Sequence, residues 1–340
     1  MDAREAVMAV AAGGTLTRAE AESAMASVMA GEATAAQLGA LLAALAVRGE
    51  TVDEIAGFAA GLRAAAVRVD IPAGAIDTCG TGGDRSHSFN ISTVSAIVAA
   101  AAGARVAKHG NRAASSACGS ADVLEALGVK IDLGAASVAT CIDEVGVGFM
   151  FAPRFHPAMR HAGPVRREIG IRTIFNVLGP LANPAGVRRQ LLGVPSTTLG
   201  ERMVQVLREL GAERGLVVHS ADGLDEISPS GPTRTWELCP DGTIKEGELT
   251  PEGLGLEQAP RESVRGGDSD TNARIARAVL SGSDRGGPRT AVLLNAGAAC
   301  YVAGLAPDPR AGVALAAAAI DSGNASATLD RWVARSMALS

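Results

Sequence analysis

The stretch DTCGTGGDRSHSFNIST, residues 77–93, decides how this chain is interpreted. Within five positions it holds three glycines and an aspartate: Gly80, Gly82, Gly83 and Asp84. A glycine-rich stretch is often a surface turn, but glycine also lets backbone N–H groups approach a phosphate closely. The Asn-Ile-Ser-Thr that follows is by itself typical of a helix N-cap. Because both signals stand together, the stretch favours an anion-binding loop that leads into a helix.

The spacing of this loop excludes two common phosphate-binding motifs. No Gly-Lys-Ser/Thr follows the glycines, as a P-loop requires, and the glycines do not match the dinucleotide pattern G-x-G-x-x-G. The ligand of the loop therefore has to be inferred from the rest of the chain.

On both sides of the loop, short apolar runs alternate with amphipathic segments. The predicted strands are 75–79, 105–108, 129–131, 147–151 and 215–219, and the predicted helices are 92–102, 120–127, 138–145 and 199–210. Asp241-Gly242 between two short alternating runs predicts an antiparallel hairpin, and residues 266–270 are predicted as a polar surface loop. The alternation predicts an α/β fold with a mostly parallel central sheet flanked by helices.

The opening residues have a different pattern. Three capping boxes occur in succession, at Thr17 with Glu20, Thr34 with Gln37 and Thr51 with Glu54. Apolar residues at helical spacing follow each box. The sequence therefore predicts three short amphipathic helices that must pack on another part of the protein. A helical lobe that also makes a dimer interface is one option, and a lid over a cleft is another.

Composition restricts the class of protein. The net charge of −5 over 340 residues argues against a nucleic-acid-binding protein, which usually carries a basic patch. The five cysteines are scattered and form no zinc motif, as expected of reduced thiols in a cytoplasmic protein. Charged residues near the start argue against a signal peptide, and the apolar run at 94–104 is too short to cross a bilayer.

Three further segments carry ligand-binding chemistry. Residues 108–122, KHGNRAASSACGSAD, combine a lysine with glycine and serine after a strand, which favours a second anion cradle; Ser120 is also a candidate N-cap. The adjacent carboxylates of DGLDE, at Asp225 and Glu226, suit Mg²⁺. Arg166, in the Arg- and Pro-rich stretch 154–195, is a candidate for binding a carboxylate.

Taken together, the motifs resemble those of the anthranilate phosphoribosyltransferases. The resemblance rests on GETVDEIAGF, GTGGD, FNIST, KHGNR, GSADVLEALGV, FAPRFHPAM, PVRREIGIRTIFNVLGPLANP and DGLDE, which occur in this order over nearly the whole chain. It implies a small all-α domain plus a larger α/β domain, with substrates bound between them and a homodimer formed through the helical domain. The expected division is 1–70, joined by part of 155–190, against 71–154 with 191–340.

The resemblance also implies roles for individual residues. Phosphoribosyl diphosphate is expected to be bound by Gly80, Gly82, Gly83, Asp84, Ser88, Asn90, Ile91, Ser92, Thr93, Lys108, His109, Gly110, Asn111, Arg112, Ala113, Ala114, Ser115, Ser116 and Ser120. Anthranilate is expected to contact Gly80, His109, Asn111, His156 and Arg166, and two Mg²⁺ ions are expected at Ser92, Asp225 and Glu226.

The implied reaction is attack of the anthranilate amine on ribose C1 with release of pyrophosphate, a step of tryptophan biosynthesis. No covalent nucleophile is expected, and Lys108 is expected to stabilise the charge of the leaving group. Arg85 and the pair Ala117-Cys118 depart from the usual motifs and bear on diphosphate affinity.

Three other interpretations stay open. A pyrimidine nucleoside phosphorylase has a similar glycine loop and would use free phosphate and a nucleoside. A catalytically silent relative would act as a scaffold or bind nucleic acid. A related transferase would use another aromatic amine or carboxylate as acceptor.

Overall fold

The computed structural model describes residues 1–84, 86–113 and 117–340 of the chain. In these residues it contains fifteen α-helices, three 3₁₀ turns and one seven-stranded sheet.

Four helices open the chain: α1 (Ala3–Ala11), α2 (Arg18–Ala30), α3 (Ala35–Arg48) and α4 (Val52–Ala64). The three predicted capping boxes are confirmed, since Thr17, Thr34 and Thr51 each accept the N–H of the residue three positions on. The sequence did not predict α1, which begins with a fourth capping box between Asp2 and Glu5.

The sheet is mostly parallel, as predicted. Its strands are β1 (Ile76–Gly80), β2 (Val106–Gly110), β3 (Val147–Phe151), β4 (Arg189–Gly193), β5 (Arg214–Ser220), β6 (Thr233–Leu238) and β7 (Ile244–Leu249). Their order is β3-β2-β1-β4-β5-β6-β7, and the five strands from β3 to β5 are parallel. The predicted hairpin is confirmed as the antiparallel pair β6–β7. The strand order reverses beside β1, where open α/β sheets bind ligands past the carboxyl ends of their strands.

The remaining helices flank the sheet or join it to the opening helices. They are α5 (Ile91–Ala101), α6 (Ser120–Ala126), α7 (Ala135–Val145), α8 (Ala152–Phe155), α9 (Gly163–Ile169), α10 (Phe175–Leu181), α11 (Thr197–Glu209), α12 (Ser269–Leu280), α13 (Gly287–Ala303), α14 (Pro309–Asp321) and α15 (Asn324–Ala338). Because α5 is buried nearly all round, its sequence is almost entirely apolar or small.

Two strand predictions need correction. Residues 129–131 lie in the described part of the chain and form no strand, because Val129 N–H bonds to Leu124 at the end of α6 and Lys130 N–H bonds to the Ser336 hydroxyl. The sequence analysis missed β4, which lies between β1 and β5. Its five residues, RQLLG, hold only two large apolar side chains and stand at the end of the basic segment.

Two hydrophobic clusters cover the two faces of the sheet. One contains α5, α13 and the C-terminal helices. The other joins the opening helices, through residues such as Leu42, to Phe175 and Leu178 of α10, Val206 of α11 and Trp236 of β6. The segment that carries Arg166 therefore packs with the opening helices, close to the carboxyl ends of the strands.

Candidate active site

The glycine loop follows β1 directly and passes the Asp225 loop at close range. Gly82 (φ 69°) and Gly83 (φ 87°) have left-handed backbone conformations, which glycine adopts without strain. The Gly82 N–H donates to Asp225 Oδ2 at 2.7 Å. A Cβ atom on Gly80 would overlap the Asp225 carboxylate, so glycine is required there by space rather than by conformation.

Three acidic side chains meet at this point. Burial, reinforced by the charge of Asp84, raises the pKa of Asp225 to about 7. Burial and the charge of Asp225 raise the pKa of Glu226 to about 8. Neither carboxylate lies within ion-pair distance of a described Lys or Arg, and the nearby Lys108 charge opposes the rise in the Glu226 pKa only in part.

The start of α5 supplies polar groups to the same place. The Ser92 backbone lies close enough to the Glu226 carboxyl to lower its pKa, and the Ser92 carbonyl accepts from the Thr78 hydroxyl at 3.2 Å. Asn90 is the N-cap residue by position, but its side chain makes no capping hydrogen bond. The buried Thr93 hydroxyl has no hydrogen-bond partner among the described residues. The Asn-Ile-Ser-Thr segment therefore does more than cap a helix.

The predicted strand bounds 105–108, which place Lys108 at a strand end, are wrong. Lys108 is the central residue of β2, and its side chain is 2% exposed. Its Nζ donates to the Thr78 carbonyl at 2.6 Å and lies 3.5 Å from Ser92 Oγ. The lysine is held beneath the start of α5 because β1, β2 and α5 pack around its side chain.

The sequence analysis missed Asp77, which lies next to Lys108 inside the sheet. Asp77 is fully buried, and its Oδ2 accepts from the Asn183 amide at 2.8 Å. Its Oδ1 accepts the N–H of Thr78 at 2.8 Å and lies 3.4 Å from the N–H of His109. Burial raises the pKa of Asp77, while the nearby Lys108 charge opposes that rise. Because the bonds connect β1, β2 and the segment before β4, Asp77 fixes three parts of the site relative to each other.

The second predicted cradle is partly described. Ala114, Ser115, Ser116 and Arg85 lie outside the described residues. Gly119, not Ser120, is the N-cap of α6, and the Ser120 hydroxyl donates to the Asn111 carbonyl at 3.2 Å. The exposed Arg112 guanidinium binds Asp122 at 3.0 Å and also Glu125, so its charge is compensated locally.

The remaining predicted donor-binding residues hold the two loops in place. Ser88 forms an antiparallel bridge with Arg265, and its hydroxyl accepts from Ser86 at 3.1 Å. Ile91 is buried and anchors the start of α5. Ala113 donates its N–H to Asp122 at 2.9 Å, which ties the second loop to α6.

A cleft of about 860 Å³ opens beside the glycine loop. It brings together all five residues predicted to contact anthranilate, namely Gly80, His109, Asn111, His156 and Arg166; Gly110 also lines it. Arg166 Cζ lies 4.9 Å from the Phe175 ring centroid, and the guanidinium has no acidic partner within the described residues. Burial lowers the pKa of Arg166. A partly buried cation without a counterion in a cleft suits an anionic ligand.

Two imidazoles form one wall of the cleft. The His109 and His156 ring centroids are 5.0 Å apart, with the rings tilted by 56°. Burial lowers the pKa of His109 to about 3 and that of His156 to about 4, so both rings are neutral at pH 7. His109 Nδ1 lies 3.2 Å from the Gly179 carbonyl. This wall therefore presents two uncharged aromatic rings, which suits an aromatic ligand.

Two further residues of the site gave no signal in the sequence. Gly193 ends β4, and a Cβ atom there would overlap the backbone carbonyl of Asp225. Both terminal nitrogens of Arg172 lie 3.3 Å from the Gly82 carbonyl, in the glycine loop that follows β1. Both depend on long-range contacts, and Gly193 belongs to the strand that the sequence analysis missed.

The donor set fits a divalent cation. Among the described residues, no three His, Cys, Asp or Glu side chains form a ready-made metal site. Asp225 and Glu226 are nevertheless hard oxygen donors whose raised pKa values reflect unrelieved burial and repulsion, which a bound cation removes. Such a cation would also need oxygens from the Ser92 hydroxyl, water or a bound diphosphate.

Comparison with known proteins agrees with this geometry. The model of the glycosyl transferase family, a/b domain, matches residues 73–326, and that of the glycosyl transferase family, helical bundle domain, matches residues 4–66. An anthranilate phosphoribosyltransferase of Chloroflexus aggregans is 55% identical over 98% of both chains. One of Rubrobacter xylanophilus is 53% identical over 97% of this chain and 96% of its own.

Solved structures give the same result. The crystal structure of anthranilate phosphoribosyltransferase from Thermus thermophilus superposes with a TM-score of 0.92 at 45% identity, covering 99% of this chain and 100% of its own. The enzyme of Saccharomyces cerevisiae, in complex with PRPP and Mg, superposes with a TM-score of 0.90 at 27% identity, covering 98% of both chains. The sequence identity, the full-length coverage and the shared two-part architecture place this chain in the glycosyl transferase family, among the anthranilate phosphoribosyltransferases.

Proposed function

We propose that this protein transfers the 5-phosphoribosyl group from phosphoribosyl diphosphate to the amine of anthranilate in tryptophan biosynthesis. The observation that carries the proposal is the position of Gly80. It lies against Asp225 on one side and lines the cleft of Arg166 on the other. A donor at the strand ends and an acceptor in the cleft would therefore meet at this glycine.

We propose that the donor lies along the glycine loop, the start of α5 and the second loop. The left-handed glycines Gly82 and Gly83, the Ser92 region and the buried charge of Lys108 support this placement. When bound, Mg²⁺ supplies positive charge that neutralises the diphosphate; Asp225 and Glu226 are its proposed ligands, with Ser92, and we propose two ions per site.

We propose that Arg166 binds the anthranilate carboxylate and that the neutral His109–His156 wall packs against its ring. The N–C1 bond forms as the bond from C1 to the diphosphate oxygen breaks, and the amine proton is released. An aromatic amine is neutral at pH 7, so its lone pair attacks without a strong base. The work of the protein is to align the two substrates, exclude water and stabilise the leaving group.

The structure also supports proposals about organisation. We propose the division 1–70 with part of 155–190 against 71–154 with 191–340, since Phe175 and Leu178 share a buried cluster with the opening helices. We propose a homodimer through the helical domain because Val47 of α3 is 89% exposed and Met8 of α1 is 56% exposed. Light scattering tests this, with a mass near that of one 34.2 kDa chain as the contrary result.

The proposed location is the cytoplasm. All five cysteines lie in the described part of the chain, and none forms a disulfide. In the described residues no helix is long and apolar enough to span a bilayer. The biosynthetic reaction that we propose takes place among cytoplasmic metabolites; fractionation of the source cells tests the location.

The function is tested by following anthranilate fluorescence in the presence of phosphoribosyl diphosphate and Mg²⁺. We expect the anthranilate fluorescence to fall only when the protein, phosphoribosyl diphosphate and Mg²⁺ are all present. One pyrophosphate should be released for each anthranilate consumed. Phosphate-dependent cleavage of thymidine, without anthranilate consumption, would instead identify a nucleoside phosphorylase. Binding of both substrates without turnover would contradict the proposed transfer.

A further inference from the structure

Residues 264–272 lie against the back of the loop that precedes α5, although the sequence predicted a surface loop at 266–270. Phe89 N–H donates to the Val264 carbonyl at 2.9 Å, and Gly266 N–H donates to the His87 carbonyl at 2.8 Å. A Cβ atom on Gly266 would lie 2.7 Å from Phe89 N, so only glycine allows this approach. The segment is therefore part of the wall behind the proposed donor site.

This segment ends at Asn272, in the first turn of α12. The Asn272 side chain is buried, with 2% of the residue exposed. Its Nδ2 donates to Asn90 Oδ1 at 2.9 Å, and its Oδ1 accepts the Gly267 N–H at 2.8 Å. A buried amide that makes both bonds is fixed in one orientation, because a flipped amide would face donor with donor and acceptor with acceptor.

Asn90 in turn binds the second loop, which precedes α6. Its Nδ2 donates to the Cys118 carbonyl at 3.1 Å while its Oδ1 is held by Asn272. The Asn272 side chain also lies close enough to the Cys118 thiol to oppose the rise that burial causes in its pKa. Asn272, Asn90 and Cys118 thus connect α12 with the start of α5 and with the loop before α6. We assign the start of α5 and the loop before α6 to the diphosphate site. With both of these bonds made, one Asn90 amide N–H is left for a ligand.

We propose that Asn272 is a positioning residue for phosphoribosyl diphosphate, which it orients through Asn90 without touching the substrate. This inference rests on the proposed function. Without the Asn272 donor, the Asn90 amide loses one of the two bonds that select its orientation, and the two loops lose their common anchor on α12. The main proposed anthranilate contact, Arg166, lies in the cleft and outside this connection.

The test uses Asn272→Asp in the full-length protein. The aspartate keeps an acceptor for the Gly267 N–H but presents a carboxylate oxygen, instead of a donor, to Asn90 Oδ1. We expect the KM for phosphoribosyl diphosphate to rise about tenfold, the effect of losing one good hydrogen bond. The KM for anthranilate should change less than about twofold.

Two companion variants separate positioning from general destabilisation. In Asn90→Ala, adding Asn272→Asp should cause no further rise in the donor KM, because Asn272 acts through Asn90. Ser336→Ala removes a fully buried hydroxyl that accepts the Lys130 N–H at 3.0 Å on α15. It should lower the melting temperature and leave both KM values unchanged.

Calorimetry with phosphoribosyl diphosphate and Mg²⁺ distinguishes the possible failures. If the wild-type protein does not bind the donor, the proposed function itself is overturned. If the wild type binds and Asn272→Asp binds equally well, the positioning role alone is overturned. Additive effects of the two asparagine variants, or a KM rise in Ser336→Ala as large as that in Asn272→Asp, would likewise reduce Asn272 to a structural residue.

Discussion

Two glycines determine how closely the Asp225 loop approaches the sheet. Gly80 ends β1 and Gly193 ends the adjacent β4, and a side chain on either would occupy the space of Asp225. The sequence analysis identified Gly80 from its motif. It did not identify Gly193, because the close approach joins residues far apart in the chain and leaves no local pattern.

Gly193→Ala should displace the Asp225 loop, since its Cβ would overlap the Asp225 carbonyl. We expect kcat/KM to fall about a hundredfold, the usual consequence of misplacing reacting groups by about 1 Å. The control is Gly231→Ala, where an added Cβ meets no atom within 4 Å. Steady-state kinetics measure both variants; equal activity in the two would refute the steric role of Gly193.

The two buried histidines make stability depend on pH. Burial lowers their pKa values to about 3 and about 4, against about 6.5 in the unfolded chain. Below pH 6.5 the unfolded chain therefore takes up protons that the folded protein does not, so the stability present at pH 7 is lost as the pH falls. Each histidine contributes up to about 1.4 kcal/mol per pH unit between these pKa values.

Urea unfolding at pH 7 and pH 5 measures this effect. We expect the wild type to lose about 4 kcal/mol more stability over this interval than His109→Asn/His156→Asn. His87→Asn, at an exposed site, should behave as the wild type. The interpretation fails if the double variant and the wild type lose the same free energy.

Among the helices, the capping boxes were predicted correctly because each involves only residues that lie within four positions of the chain. Their environments were not predictable, because burial depends on the packing of separate helices. Glu20 of α2 is partly exposed, whereas Glu54 of α4 is fully buried. Glu54 binds Arg48 and accepts the N–H groups of Thr51 at 2.8 Å and Leu16 at 2.9 Å.

Glu54→Ala should therefore destabilise the opening helices far more than Glu20→Ala. Removing Glu54 leaves the partly buried Arg48 and two backbone N–H groups without their partner, at a cost of about 3 kcal/mol. Chemical denaturation of the two variants tests the contrast, and we expect a much smaller loss for Glu20→Ala. Similar losses for both would mean that burial adds nothing to this capping box.

For the whole molecule, local patterns predicted the helical opening, most strands and the loops at their ends. The alternation of strand-like and helix-like segments was enough to infer the fold class. It was not enough to find β4, because a short strand with only two large apolar residues is recognised from the strands that it pairs with. The buried Asp77, Lys108 and Asn272 contacts arise from packing between separate elements. They are invisible to a reading of periodicity.

One cleft joins the two proposed half-sites, of which the acceptor half-site is assigned to Arg166 and the donor half-site to Asp225. The two side chains lie on different elements, and Gly80 adjoins both half-sites. Changing one half-site should therefore leave binding at the other half-site intact.

The most direct test is crossed calorimetry on Arg166→Ala and Asp225→Asn. We predict that Arg166→Ala weakens anthranilate binding about tenfold or more and leaves binding of phosphoribosyl diphosphate with Mg²⁺ within about twofold. Asp225→Asn keeps an acceptor for the Gly82 N–H but loses a charge, and should do the reverse. Two results would contradict the division into half-sites. In one, each substitution weakens the binding of both ligands equally; in the other, Arg166→Ala weakens only donor binding and Asp225→Asn weakens only anthranilate binding.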